Sequence, residues 1–110
     1  MIELSRIVGK AHPNLQSILD SSTNAIIAVE REGRIIYCNT QVERILETSA
    51  EYVLGKPVED FFPTTGLLRV LKTGRPELAQ KVNLRGTIYL SNRNPVFQDG
   101  RVVGAVAVFQ

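Results

Sequence analysis

The stretch NRNPVFQDGRVVGAVAVFQ (residues 92–110) decides how this chain folds. Asp99-Gly100 is a pair suited to a two-residue β-hairpin turn, where both central residues take positive φ. The returning strand, residues 102–109, is apolar at odd and even positions alike. Side chains alternate faces along a strand, so this one offers apolar groups to both sides of a sheet. An antiparallel strand in a small soluble domain ordinarily shows water one face. The covering of the second face is therefore the question from which the rest of the reading follows.

Immediately upstream, ELAQKVNLRGTIYLSNRNPVF (77–97) reads as a second hairpin, turning at Arg85-Gly86. With both turns taken as two-residue loops, Val82 pairs with Tyr89, Gln80 with Ser91, Ser91 with Val108 and Arg93 with Val106. One face then gathers Leu78, Val82, Leu84, Tyr89, Phe97, Val102, Val106 and Val108, with Gln80, Ser91 and Arg93 among them. The other gathers Ile88, Leu90, Val96, Val103, Ala105, Ala107 and Phe109. These faces hold if neither strand carries an extra residue, which would flip everything beyond it.

The segment AIIAVEREGRIIYCN (25–39) is an earlier hairpin with its turn at Glu32-Gly33. Asn39 is placed to cap a helix carrying Val42, Ile45 and Leu46. Ser49 caps a shorter helix that stops at Gly55. One helical turn is expected near 58–61, and another helix carries Leu67, Leu68, Val70 and Leu71 before Gly74 and Pro76. The chain opens with helical spacing at Ile2, Leu4, Ile7, Val8 and Ala11. Pro13 interrupts it, and NLQSILDSS (14–22) follows as a second short helix. The expected fold class is α+β: a five-stranded antiparallel sheet with short flanking helices and an N-terminal amphipathic helix. The amphipathic opening segment is the spare apolar stripe that can cover the outer face, alone or with its copy from a second molecule. Leu4, Ile7, Leu90, Val103, Ala105 and Phe109 are the expected homodimer interface, since a bare patch of that size is unusual on a monomer.

The 110 residues suit one domain with a core of its own. No apolar run is long enough to span a bilayer, and MIELSRIVGK mixes charges into its pattern unlike a secretory signal. A single cysteine excludes an internal disulfide and fits a reducing compartment, so the chain is read as cytoplasmic, with no membrane contact. Net charge of +2 gives no case for nucleic acid. Charge is uneven, with six Lys/Arg against nine Asp/Glu in residues 1–60 and seven against two in 61–110. A solvated, basic sheet edge accounts for this.

The order of these elements resembles a PAS domain over residues 14–110, with 1–13 as a helical flank. The resemblance is carried by ILDSSTNAIIAVEREGRIIYCN, ILETSAEYVLGKPVEDFFP, VLKTGRP and RNPVFQDGRVVGAVAVFQ. The Asn39 cap, Leu54-Gly55 and the Asp99-Gly100 hairpin fall where that family places them. The final hairpin is similar to sensory PAS modules of bacterial sigma-54-dependent transcription activators and of sensor histidine kinases. The resemblance implies a dimeric sensory module, regulating a covalently attached effector in signal transduction or transcription regulation. The alternative is a ligand-free docking module of a sensor kinase. An Asp-Ile-Thr-like segment usually follows the last strand in such proteins, so a chain ending at Gln110 is expected to be an excised module.

Haem-binding members use a histidine on a late helix, whereas the one histidine here is His12, beside Pro13. Light-sensing members use a cysteine where GKPVEDFF places Val58. No cofactor, no metal site and no enzymatic activity is expected. Cys38 is expected on one face with Ile36, as a small buried hydrophobe. Tyr89, Ser91, Arg93 and Gln80 are the candidate ligand-binding residues, because a buried guanidinium needs a partner and a ligand carboxylate supplies a two-point one. Otherwise Arg93 reaches the sheet edge or pairs with an internal acid such as Asp60.

Overall fold

Antiparallel pairing joins five strands into one sheet in a computed structural model that describes residues 13–63 and 65–110, with side chains from Ser17 onward. In chain order the elements are α1 (Pro13–Asp20), β1 (Ala25–Glu30), β2 (Ile35–Cys38), α2 (Thr40–Leu46) and α3 (Ala50–Val53). A 3-10 turn at Val58–Asp60, α4 (Leu67–Thr73), β3 (Glu77–Leu84), β4 (Thr87–Gln98) and β5 (Arg101–Phe109) complete the chain. The strand order is β2-β1-β5-β4-β3, which puts the first and last strands side by side at the centre. This is the expected α+β architecture. The expectations placed on the leading helix, on Leu4 and Ile7 and on His12 lie outside the described residues.

Turn chemistry explains the later hairpins. Arg85 and Gly86 have φ of 53° and 92°, Asp99 and Gly100 have 51° and 76°. Two consecutive positive φ values match the right-handed strand twist, as in a type I′ loop. Leu84 pairs with Thr87 and Gln98 with Arg101, as the two-residue loops require.

The face assignment of β5 departs from expectation. Val96 pairs with Gly104 but Phe97 pairs with Val102, so β5 carries Val103 as an extra residue. Beyond this bulge, Ser91 faces Phe109 and Arg93 faces Ala107. Ala105, Ala107 and Phe109 therefore turn inward and are buried in the main core. Val106 and Val108 turn outward in their place, opposite Ala28 and Ile26 of β1. Ala105 and Phe109 consequently leave the expected dimer face, and Val103 is itself buried at the bulge, 4% exposed. A second irregularity, between Ala28 and Val29, does the same in the first hairpin. Cys38 packs with Ile27 and Ile35 in the main core, while Ile36 packs on the opposite face with Ala28 and Tyr37. Leu78 and Phe97, expected inside, are exposed.

The later helices lie on the inner face. Val42, Val53, Val58, Leu67 and Val70 come from these helical segments, and Phe62 from the loop between them, to meet Ile27, Val29, Ile35 and Phe109 of the sheet. On the outer face, α1 rests on the β1–β2 end, with Leu19 joining Ile26, Ile36 and Val106 around Ala28 and Tyr37. Tyr37 donates its phenol to Asp20 (2.7 Å), and burial followed by this bond holds the phenol well above its usual range. β3 begins opposite Arg93, so β4 from Asn94 onward is bordered on that side by no strand among the described residues. Pro95, which has no N–H to offer a ladder, lies in that bare portion.

Asn39 ties the layers together. Its Nδ2 donates to the carbonyls of Leu19 (3.1 Å) and Asn24 (2.8 Å). Its Oδ1 accepts from the N–H groups of Ile26 (3.0 Å) and Val42 (3.3 Å). One buried side chain thus caps α2 and fixes the end of α1 against the start of β1. Asn39→Ala strands these partners and is expected to cost about 2–4 kcal/mol in urea unfolding. A loss under about 0.5 kcal/mol, the range of an ordinary surface change, would contradict this role.

Candidate functional site

Polar groups on a buried sheet face are the first place to look for function, since each must be satisfied by something. The inner face holds two on β4. Ser91 is fully buried and Arg93 is 6% exposed. Both project inward, as the unbulged β4 alternation requires, and the β5 bulge sets Phe109 and Ala107 beside them.

Arg93 meets an internal acid, and that acid is Glu77, at the start of β3, where the sequence reading had suggested Asp60. Arg93 Nε lies 3.1 Å from Glu77 Oε1. The approach is close enough for an ion pair but out of line for a hydrogen bond, and Nε has no hydrogen-bond partner. Arg69 of α4 takes the aligned bonds, donating from Nε and Nη2 to the two oxygens of the same carboxylate, the second at 2.8 Å. Hydrogen bonds from Arg69 are the main cause that holds the Glu77 carboxyl below its usual range, with the two positive charges adding to them. Ser91 Oγ has no partner among the described residues.

Gly66 completes this arrangement. A Cβ there would fall 2.6 Å from Cζ and Nε of Arg93 and 2.8 Å from Glu77 Oε1. The guanidinium therefore lies flat against bare backbone at the start of α4. In front of it is a cavity of about 10 Å³, lined by Phe62, Thr65, Val82, Leu84, Ala107 and Phe109 besides Arg93. That is room for about one water molecule.

The four candidate ligand residues share one face but not one cavity. Ser91 and Arg93 are buried, and Arg93 lines the cavity of about 10 Å³ whereas Ser91 does not. Gln80 is exposed and donates to the Leu78 carbonyl (2.9 Å). Tyr89 stacks edge-on to Phe109, with ring centres 6.4 Å apart. It opens instead into a surface cleft of about 250 Å³ shared with Thr23, Asn24, Gln41 and Arg44. Glu77 was missed because a lone glutamate at the start of an edge strand carries no signal of pairing inward. The mutual need of Arg93 for an acid was the only available hint. Cys38 is buried, and burial pushes its thiol up to about 11, helped by the nearby Glu43 and Asp20 charges. Among the described residues no group of three or more His, Cys, Asp or Glu could hold a metal.

Comparisons with known proteins agree with this architecture. The family described as PAS fold matches residues 14–110. A "Probable C4-dicarboxylate sensor kinase" of Halalkalibacterium halodurans is 33% identical over 95 residues, 83% of this chain and 18% of that protein. "Sensor protein CitS" of the same organism is 31% identical over 105 residues, 94% of this chain and 20% of that protein. The chain thus spans about a fifth of the length of these relatives. Among solved structures, the PAS domain of histidine kinase ThkA superposes with a TM-score of 0.73 at 20% identity, covering 79% of this chain and 97% of that one.

Two measurements check the electrostatics. Glu77 has a depressed carboxyl pKa in the folded state, so its stabilising effect is complete above the ordinary value of 4.5 and is lost as pH falls through the folded value. The urea midpoint of the wild type is expected to fall more steeply than that of Glu77→Gln below about pH 4.5. Parallel curves would contradict the pairing. For Cys38, the disulfide reagent DTNB at about pH 8 is expected to label the native chain at least about tenfold more slowly than the urea-unfolded chain, because the thiolate is scarce and buried. Equal rates would contradict its burial.

Proposed function

The chain belongs to the PAS fold family, and from that premise we propose that it is a signal-relay module of a sensor histidine kinase, pairing with a second copy through the outer face of its sheet. The observation that carries this reading is the apolar surface that the described residues leave uncovered on that face. Ile88 and Leu90 of β4 are 61% and 45% exposed. Val106 and Val108 stand half-buried on β5, on the same face. Among the described residues, α1 covers only the β1–β2 end through Leu19. A second molecule brings a matching strip and removes both from water, at about 25 cal/mol per Å² of apolar area. Leu90 is retained from the sequence-derived interface, joined by Ile88, Val106 and Val108 in place of Ala105 and Phe109.

The effector is supplied by the parent protein. The two relatives named above are sensor proteins, one of them a kinase by name, and this favours a kinase over a sigma-54 activator. The attached effector is regulated by a shift between two arrangements of the paired sheets. Such a shift passes a signal only if the input has different affinities for the two. Leu19 and Asp20, tied to Tyr37 and Asn39, put α1 on the route into the sheet. In this reading the module works without a cofactor, since its one histidine, His12, is not on a late helix and Val58 stands where light-sensing members carry a cysteine. It acts in the cytoplasm, where an unpaired cysteine is stable. No helix among the described residues is long and apolar enough to cross a membrane.

The test is the oligomeric state. Sedimentation equilibrium is expected to give a dimer for the wild type and at least about tenfold weaker association for Ile88→Lys/Leu90→Lys, a loss of about 1.4 kcal/mol or more. Both positions are exposed, so the monomer's stability should change by no more than about 0.5 kcal/mol each. A wild-type chain that remains monomeric at high concentration, or a double variant that dimerises as tightly, would sink this reading.

A further inference from the structure

We propose that Arg93 is a binding site for small carboxylates that this chain fills with its own Glu77. The inference concerns the interior of the module and stands apart from the pairing of the outer faces. Arg93 is 94% buried, and its guanidinium is pressed against the Gly66 backbone. A guanidinium satisfies its charge and its fork of donors together when a carboxylate meets it at two points. Glu77 supplies the charge but not the geometry, since its aligned bonds go to Arg69 and its approach to Arg93 Nε is out of line. Arg93 therefore has a counter-charge on loan from Glu77 and an Nε–H, beside that carboxylate and the Gly66 backbone, that no acceptor meets in line.

Glu77 is well placed to leave. Arg69 is 60% exposed, so the Glu77–Arg69 pair can persist in water after Arg93 is released. Pro76 precedes Glu77, and the β3 ladder skips between Glu77 and Gln80, where Ala79 takes φ of 53°. Those features interrupt the regular ladder just after Glu77. While Glu77 is in place, about 10 Å³ admits no carboxylate. Truncating Glu77 at Cβ removes one carbon and a carboxylate, the atoms of an acetate ion. The ligand class is a small monocarboxylate, or one end of a larger carboxylic acid.

Chemical rescue tests this in the whole chain. Glu77→Ala should lower the urea midpoint at neutral pH, and sodium acetate should restore it saturably where sodium chloride at equal ionic strength does not. The wild type and Glu77→Ala/Arg93→Met should show no such difference between the salts. If acetate and chloride act alike on Glu77→Ala, or if the double variant responds as strongly, the proposal is overturned. Should Glu77→Ala fail to fold, Glu77→Ser, which also vacates the carboxylate's place, is titrated with formate while the Arg93 Nε–H resonance is followed by NMR. A saturable shift supports the site, and an unmoved resonance overturns it. None of these readouts depends on dimerisation, so failure here leaves the outer-face reading intact, and the reverse also holds.

Discussion

Opposite Val96 and Phe97, β5 has one residue more than β4, and every face assignment beyond that point depends on it. Strand side chains alternate with a period of two, so an insertion of one residue exchanges the faces completely. The bulge turns Phe109 inward to meet Phe62, their ring centres 5.9 Å apart, and sets Ala105 and Ala107 beneath the helices. Small residues there let the helices approach the centre of the sheet. The valines that alternate with them become the outer surface. Without the extra residue, Val106 and Val108 would crowd the inner layer and a phenylalanine would stand in water. Core packing and the proposed pairing surface are two results of one register.

The same register governs the polar interior. Ser91 and Arg93 project into the layer that the bulge lines with Ala107 and Phe109, where both are closed off from water. Burying a guanidinium is costly unless it is paired and hydrogen-bonded. The chain meets the first requirement through Glu77 and leaves the second open. Gly66 shows how closely the arrangement is fitted, because even a methyl group there would collide with the guanidinium. The α4 start, the β3 start and the centre of β4 thus converge on one charge pair.

Much of the architecture was legible in the residues. Turn pairs Arg85-Gly86 and Asp99-Gly100 announced two hairpins, and Asn39 and Ser49 announced two helix caps that the structure contains. Those signals are local, since φ preference and capping act over a few residues. The bulges at Val103 and near Ile36 carry no such signal, as Val and Ile are ordinary strand residues. Their cause is the packing of entire layers. The expected faces of Ala105 and Phe109 were therefore reversed and Cys38, buried as expected, was parted from Ile36, while Ile88 and Leu90, on the unbulged side, were placed correctly. The partner of Arg93 was likewise beyond reach, because its pairing with Glu77 across sixteen residues is decided by tertiary approach.

Pro95 has a consequence for how this domain coexists with its neighbours. From Asn94 onward, one border of β4 is bare of strand partners among the described residues, and an open border is a template for runaway stacking of one chain upon the next. A residue without an N–H interrupts that template near its beginning. Association is thereby discouraged edge to edge and left to the flat of the sheet, so copies can meet face to face in a closed pair without propagating into fibres.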